Sequence, residues 1–151
     1  MKIEIFDSKS LNFVELNTSG DNENYNKIDI ESKFISSEVF NLFAICFENS
    51  NKLYEYFGST KYNARKIVPL RNELLGNLEN LQKITTENQF VSYISNIFLG
   101  EEFIIEIEKS DKNWEHNWEI YQKKLIEINK KMIEVVEKCI DGEHVLWVIG
   151  Y

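Results

Sequence analysis

No apolar run in this sequence exceeds six residues, Leu42 to Phe47, against the ~18 that a membrane-crossing helix needs, so no membrane span is expected. Histidine and cysteine occur twice each. His116 and Glu119 are three residues apart and could make half of a metal site, but no second histidine pair exists to complete it. Cys46 and Cys139 both fall in apolar helical patterns, which makes them buried free thiols rather than a disulfide; Cys139 to His144 is the one nearby thiol–imidazole pair, and its thiol is expected to be inert. No GxGxxG, GxxxxGK[ST], HExxH or CxxC occurs, so the common phosphate-cradling and metal signatures are missing and no cofactor is expected. Positive charge is also short. Seventeen lysines and arginines face twenty-five acids, and the net charge of −8 makes a poor nucleic-acid binder, because phosphate neutralisation supplies most of that affinity. The acidic start Met1-Lys2-Ile3-Glu4-Ile5-Phe6-Asp7 does not look like a secretion signal, and the expectation is a cytoplasmic protein.

What is present is enough to build a core: 43% of residues are hydrophobic and 13% aromatic, in one domain spanning residues 1–151. The sharpest feature lies near the C-terminus. Trp114, Trp118, Tyr121, Leu125, Ile128, Met132, Val135 and Cys139 recur at spacings of 4, 3, 4, 3, 4, 3 and 4, the a/d rhythm of a long helix. Ile126, Ile133 and Ile140, each one residue beyond a stripe position, together with Val136 widen the stripe beyond a two-stranded seam, so the helix is expected in its own domain's core rather than in a coiled coil. Its opposite face is lysine-rich, with Glu127–Lys131 and Glu134–Lys138 as expected i,i+4 pairs.

The rest of the chain divides into short elements. Ile3 and Ile5, then Phe13, Val14 and Leu16, read as a hairpin turning at Asp7-Ser8-Lys9-Ser10. Residues 17–26 read as a polar, mobile loop, and Ile28 and Ile30 as the start of another strand. Ser36-Ser37 offers a cap to a buried helix continuing through Leu53, Tyr54, Tyr56 and Phe57 to Gly58. Thr60 reads as the next helix start, with a kink or fresh start at Pro69 followed by a leucine stripe. Thr86 to Gln89 fits a capping box opening a helix that Gly100 would end. Residues 101–109 fit strand or helix; Ser110-Asp111 caps the long helix and Asp141-Gly142 ends it. His144 to Tyr151 reads as a buried strand able to pair with the N-terminal hairpin. The fold expected is α+β, mainly helical, with a small antiparallel sheet made from the two termini.

Charge is unevenly spread: residues 1–58 and 100–151 each sum to −5, and residues 59–99 to +2. An acidic surface favours fast encounter with a basic partner. Across the whole chain this profile of one acidic, aromatic-rich domain without a catalytic constellation resembles the small cytosolic immunity proteins that neutralise polymorphic or contact-dependent bacterial toxins. The resemblance implies a protein-binding inhibitor that covers the active site of a basic toxin domain, is no enzyme, and uses no cofactor, nucleic acid or membrane. The acids expected to meet the partner are Glu101, Glu102, Glu106 and Glu108, then Asp21, Glu23, Asp29 and Glu31. A rival reading assembles an anionic-ligand site or an enzyme from Tyr62, Arg65, Arg71 and His116, with Lys61 and Lys66 nearby. HEPN-type RNases set an arginine four to six residues before a histidine; here Arg65 and Arg71 each precede His116 by more than forty, which argues against that activity. A third reading is a homo-oligomer zipped along the long helix, in which Met132→Lys would release a monomer.

Overall fold

The computed structural model describes residues 1–9 and 11–151. Among the described residues four strands and six helices follow one another: β1 (Phe13–Asn17), β2 (Lys33–Ser36), α1 (Ser37–Phe40), α2 (Ala44–Ser50), β3 (Gly58–Tyr62), α3 (Ile67–Gln82), α4 (Glu87–Ser95), α5 (Gly100–Ser110), α6 (Trp118–Asp141) and β4 (Leu146–Gly150). The fold is α+β, mainly α, with an antiparallel sheet ordered β2-β1-β4-β3. The hydrophobic C-terminal strand does pair with β1, Leu16 opposite Val148, and it also pairs with β3, Thr60 opposite Val148.

Alternation along the strands assigns the two faces of the sheet. Val14, Leu16, Ile35, Leu146 and Val148 point into the helical core; Phe13, Phe34, Trp147 and Ile149 point the other way and are buried there too. The chain between β1 and β2 covers that second face. Tyr25 packs on Trp147 at 4.9 Å between ring centroids, and the Trp147 indole donates to the Asp21 carbonyl at 2.8 Å. The segment expected to be a polar loop with nothing to bury is therefore a cover, stitched by the buried Asn17 side chain, which donates to the Asn26 carbonyl and accepts from the Ser19 amide. Ile28 and Ile30 are exposed in it, Ile28 at a φ of 52°, and they start no strand; that strand begins at Lys33.

The N-terminal hairpin is not formed. Phe6 exchanges two backbone hydrogen bonds with Phe34 instead, at 3.0 and 2.8 Å, extending the sheet past β2 and stacking the two rings. Ser10, at the expected hairpin turn, lies outside the described residues.

The first long helix that the apolar pattern predicts is split in two, α1 ending at Phe40 and α2 starting at Ala44, and it stops at Ser50. At Asn51 the backbone turns extended, its side chain donates to the Lys61 carbonyl and accepts from the Leu53 amide, and this side-chain turn replaces the next helical bond. Residues 51–57 form a loop, Gly58 opens a strand rather than closing a helix, and Thr60 sits in that strand, not at a helix start. Pro69 is the third residue of α3, a fresh start where its missing donor costs nothing.

Downstream, Thr86 caps α4 by accepting from the Gln89 amide, whereas the Gln89 side chain accepts from the Thr85 amide, one residue beyond the Thr86 amide of a reciprocal box. α4 ends at Ser95, and Gly100 begins α5 instead of ending α4. Leu99 takes φ 65° at this corner, and a Cβ on Gly100 would stand 2.1 Å from the Ile94 carbonyl oxygen, so only glycine permits so close a turn. The ambiguous stretch 101–109 is helical, with Phe103 and Ile107, four apart, buried and Ile105 exposed.

The long helix starts at Trp118 rather than Trp114. Asp111 does organise its entry, but from a loop: its carboxylate accepts from the Asn113 amide, the Asn117 side chain and the Tyr121 hydroxyl, which hold it below the usual carboxylate range. α6 lies along α3. Leu125, Ile128, Met132, Ile133, Val136 and Cys139 are buried there, so the apolar stripe is spent inside the fold. Between the two helices the fully buried Asn129 donates to the Leu74 carbonyl and accepts from Asn77, whose oxygen accepts in turn from the Tyr93 hydroxyl. Among the described residues no ion pair joins Glu127 to Lys131 or Glu134 to Lys138; these exposed side chains stay in solvent.

Candidate functional site

The eight acids expected to face a partner divide into three groups. Glu102, in the first turn of α5, faces a groove and accepts a 2.8 Å hydrogen bond from the Asn41 side chain. Glu106, one turn on, is paired with Lys109, which together with the hydrogen bond holds its carboxyl below the ordinary value. Glu108 accepts from the Trp114 indole at 3.3 Å, while Glu101 is exposed with no partner among the hydrogen bonds of the described residues. The N-terminal acids serve the sheet cover: Asp21 accepts from the amides of Glu23 and Asn24, and Asp29 from the amide of Glu31. These local turns account for Asp21 and Asp29; the Glu23 and Glu31 side chains point to solvent.

The rival set does not converge. The Tyr62 hydroxyl is buried and donates to the Phe47 carbonyl at 2.6 Å, and burial pushes its pKa far above the ordinary range. His116 sits against Glu87 at the start of α4, beyond the C-terminal end of α3, whereas Arg65 and Arg71 lie before and in the first half of α3. Among the described residues no group of three or more His, Cys, Asp or Glu side chains is placed to hold a metal ion, and no helix is long and apolar enough to cross a membrane.

The groove that takes Glu102 has a volume of about 820 Å³ and lies between α1, the start of α2, the 56–57 loop, the α4–α5 corner and the end of β4. Its lining is largely apolar and aromatic. Phe57 is 77% exposed, Phe98 85% and Ile45 48%, an arrangement a folded domain usually keeps only where something else is to be covered. Three carboxylates, Glu38, Glu48 and Glu102, line the same groove, and among its described lining residues there is no lysine, arginine or histidine.

Its floor is a hydrogen-bonded relay. Asn41, 2% exposed, donates to Glu102 and accepts from the Tyr56 hydroxyl. Burial first, then the nearby Glu102 carboxylate and, more weakly, Glu38, raise the Tyr56 pKa, so the hydroxyl stays a neutral donor and fixes the Asn41 amide in the orientation that points its NH2 at Glu102. Backbone geometry sets the groove walls. A Cβ on Gly150 would lie 2.0 Å from the Tyr56 carbonyl oxygen, and the left-handed Leu99 turns Phe98 outward.

Sequence reading singled out Glu102 but missed Glu38, Glu48, Asn41, Tyr56, Phe57 and Phe98. Both Phe57 and Phe98 fit helical stripes in the sequence, and it is the early ends of α2 and α4 that release them to the surface. A second cleft, about 830 Å³, lies between residues 1–5, α5 and α6, and is rimmed by Lys2, Lys109, Lys123, Lys124 and Lys131 with Glu4, Glu106 and Glu127 interspersed. No protein-family model, curated protein or solved structure matches the chain.

Proposed function

We propose that this protein is a protein-binding inhibitor, an immunity protein that acts in the cytoplasm by covering the active site of a cognate, basic bacterial toxin domain. The observation that carries the reading is the groove beside α5, in which exposed aromatic rings and three unneutralised carboxylates stand together. Exposed aromatics supply the buried anchors of protein interfaces, and a single-signed rim speeds encounter with a partner of opposite sign. A net charge of −8 extends the same field over the whole surface.

The test is affinity capture of the tagged protein from lysate of its own host at low and at high salt, read by mass spectrometry. The reading expects a stoichiometric basic protein that survives salt, is toxic when expressed alone, and is rendered harmless by co-expression. A capture that yields no partner at either salt overturns it.

A further inference from the structure

Glu102 is oriented more firmly than a surface carboxylate needs to be. One oxygen is held by the buried Asn41 amide, itself fixed by Tyr56, and the other has no partner among the hydrogen bonds of the described residues. Glu38 lines the same groove from α1, which packs against α5. Phe57 and Phe98 offer exposed flat faces alongside. Two carboxylates without a counter-ion, beside aromatic planes, suit a planar cation that donates in several directions and stacks, rather than a compact, strongly hydrated ammonium.

We infer that the Glu38–Glu102 end of this groove is a receptor for an arginine side chain of the partner, with the residues flanking that arginine seated on Phe57 and Phe98. The inference deepens the inhibitor reading and rests on it for the partner's identity, but not for the chemistry of the subsite. Glu102 receives the guanidinium through its free oxygen, Glu38 neutralises what charge remains, and the Asn41–Tyr56 relay keeps the carboxylate from turning away. Glu48, which lines the groove from α2, attracts basic residues neighbouring the arginine.

The experiment titrates acetyl-Leu-Arg-Leu-amide into the isotope-labelled full chain and follows the Asn41 side-chain amide by heteronuclear NMR. Two control peptides carry lysine, or the neutral isostere citrulline, in place of arginine. The arginine peptide is expected to shift the Asn41 amide and the Phe98 backbone resonance, the lysine peptide to bind severalfold more weakly, and the citrulline peptide at least tenfold more weakly. Glu102→Gln keeps the fold and is expected to abolish the arginine–citrulline difference. Equal binding of the three peptides, discrimination that survives Glu102→Gln, or shifts confined to another face would each overturn the subsite. A captured partner that binds Glu102→Gln as tightly as the unaltered protein also overturns it and leaves the inhibitor reading standing; arginine-selective binding without any captured partner supports the subsite and removes that reading.

Discussion

The hydroxyl of Tyr151 donates a 2.7 Å hydrogen bond to the buried carboxylate of Glu15, tying the residue after β4 to the middle of β1. Ser32 and Asn17 donate to the other oxygen at 2.7 and 2.9 Å, so this carboxylate gathers the sheet cover, both central strands and the residue beside the groove. The Asp29 amide is a fourth donor, so Glu15→Ala would strip four donors of their carboxylate acceptor at once. A loss of about 2–3 kcal/mol in urea unfolding is expected, and a change below about 0.5 kcal/mol would show the cluster to be dispensable.

Alkaline pH should loosen the fold. Burial, and then the bond to Glu15, raise the Tyr151 pKa above its ordinary 10.0; burial likewise raises Tyr54, Tyr62 and Tyr93, and takes Tyr121 up to about 12. Each of these groups loses its proton more readily unfolded than folded, so its contribution is complete below about pH 10 and disappears as the pH climbs toward the folded value. Melting temperatures measured from about pH 8 to 11.5 should hold steady and then fall steeply above 10, with phenolate absorbance rising at the unfolding transition rather than before it. A flat profile to pH 11 would contradict the assignment.

The Asn129 relay makes a sharper mutational case. Asn129→Leu keeps the volume but leaves the Asn77 amide without an acceptor and the Leu74 carbonyl without its side-chain donor. The expected cost is about 2 kcal/mol. Asn77→Leu in the same background removes the orphaned amide but also takes the acceptor from the Tyr93 hydroxyl, so the two costs should combine to less than their sum; a double-mutant cycle reads that coupling directly.

Both thiols should be silent in the native protein. Burial pushes Cys46 up to about 12, with Glu73 adding to the shift, and burial alone takes Cys139 to about 11. Ellman's reagent should find no reactive thiol in native buffer and two in guanidinium. Rapid labelling of either cysteine in the native state would mean that the core opens around it.

Met132 separates core from seam. It is buried on α6 in a helix laid along α3, so an ammonium there has no water and no counter-ion. Met132→Lys is expected to cost more than about 4 kcal/mol and to abolish the circular-dichroism melt. A folded, smaller species on size exclusion would instead support the homo-oligomer reading.

At the groove, function and stability should part company. Phe98→Ala removes a ring that is 85% exposed, so stability should change by less than about 0.5 kcal/mol. Affinity for a captured partner should nevertheless fall tenfold or more, by surface plasmon resonance. Unchanged affinity would move the interface off this face.

The parts of the fold legible in the sequence were those where one period runs uninterrupted. Leu125, Ile128, Met132 and Cys139 of the α6 stripe, Leu70, Leu74 and Leu81 of α3 and the continuous apolar run of β4 are buried as their pattern selects, whereas Leu75 of the α3 stripe is exposed. Illegible were the places where a single side chain outvotes the period. Asn51 bends the chain by bonding Lys61, ten residues on, and Phe6 finds Phe34 rather than Phe13; neither long-range partner can be read from local pattern. The candidate site suffered most. Its residues come from six separate stretches, and of the eight acids chosen by clustering only Glu102 lies in the groove, because adjacency in sequence on a helix sends neighbouring carboxylates to different faces.

The strand order β2-β1-β4-β3 carries a consequence for synthesis. β1 and β3 do not touch; each is joined to the sheet's other half only through β4, which leaves the ribosome after all six helices. Until it emerges, the nascent chain holds two unfinished edges around a vacant slot, and the helices have no complete floor to settle on. Insertion of the last strand is therefore a zippering event that closes the molecule in one step, and a ribosome that stalls before Leu146 releases a chain with both inner edges open to chaperones and proteases.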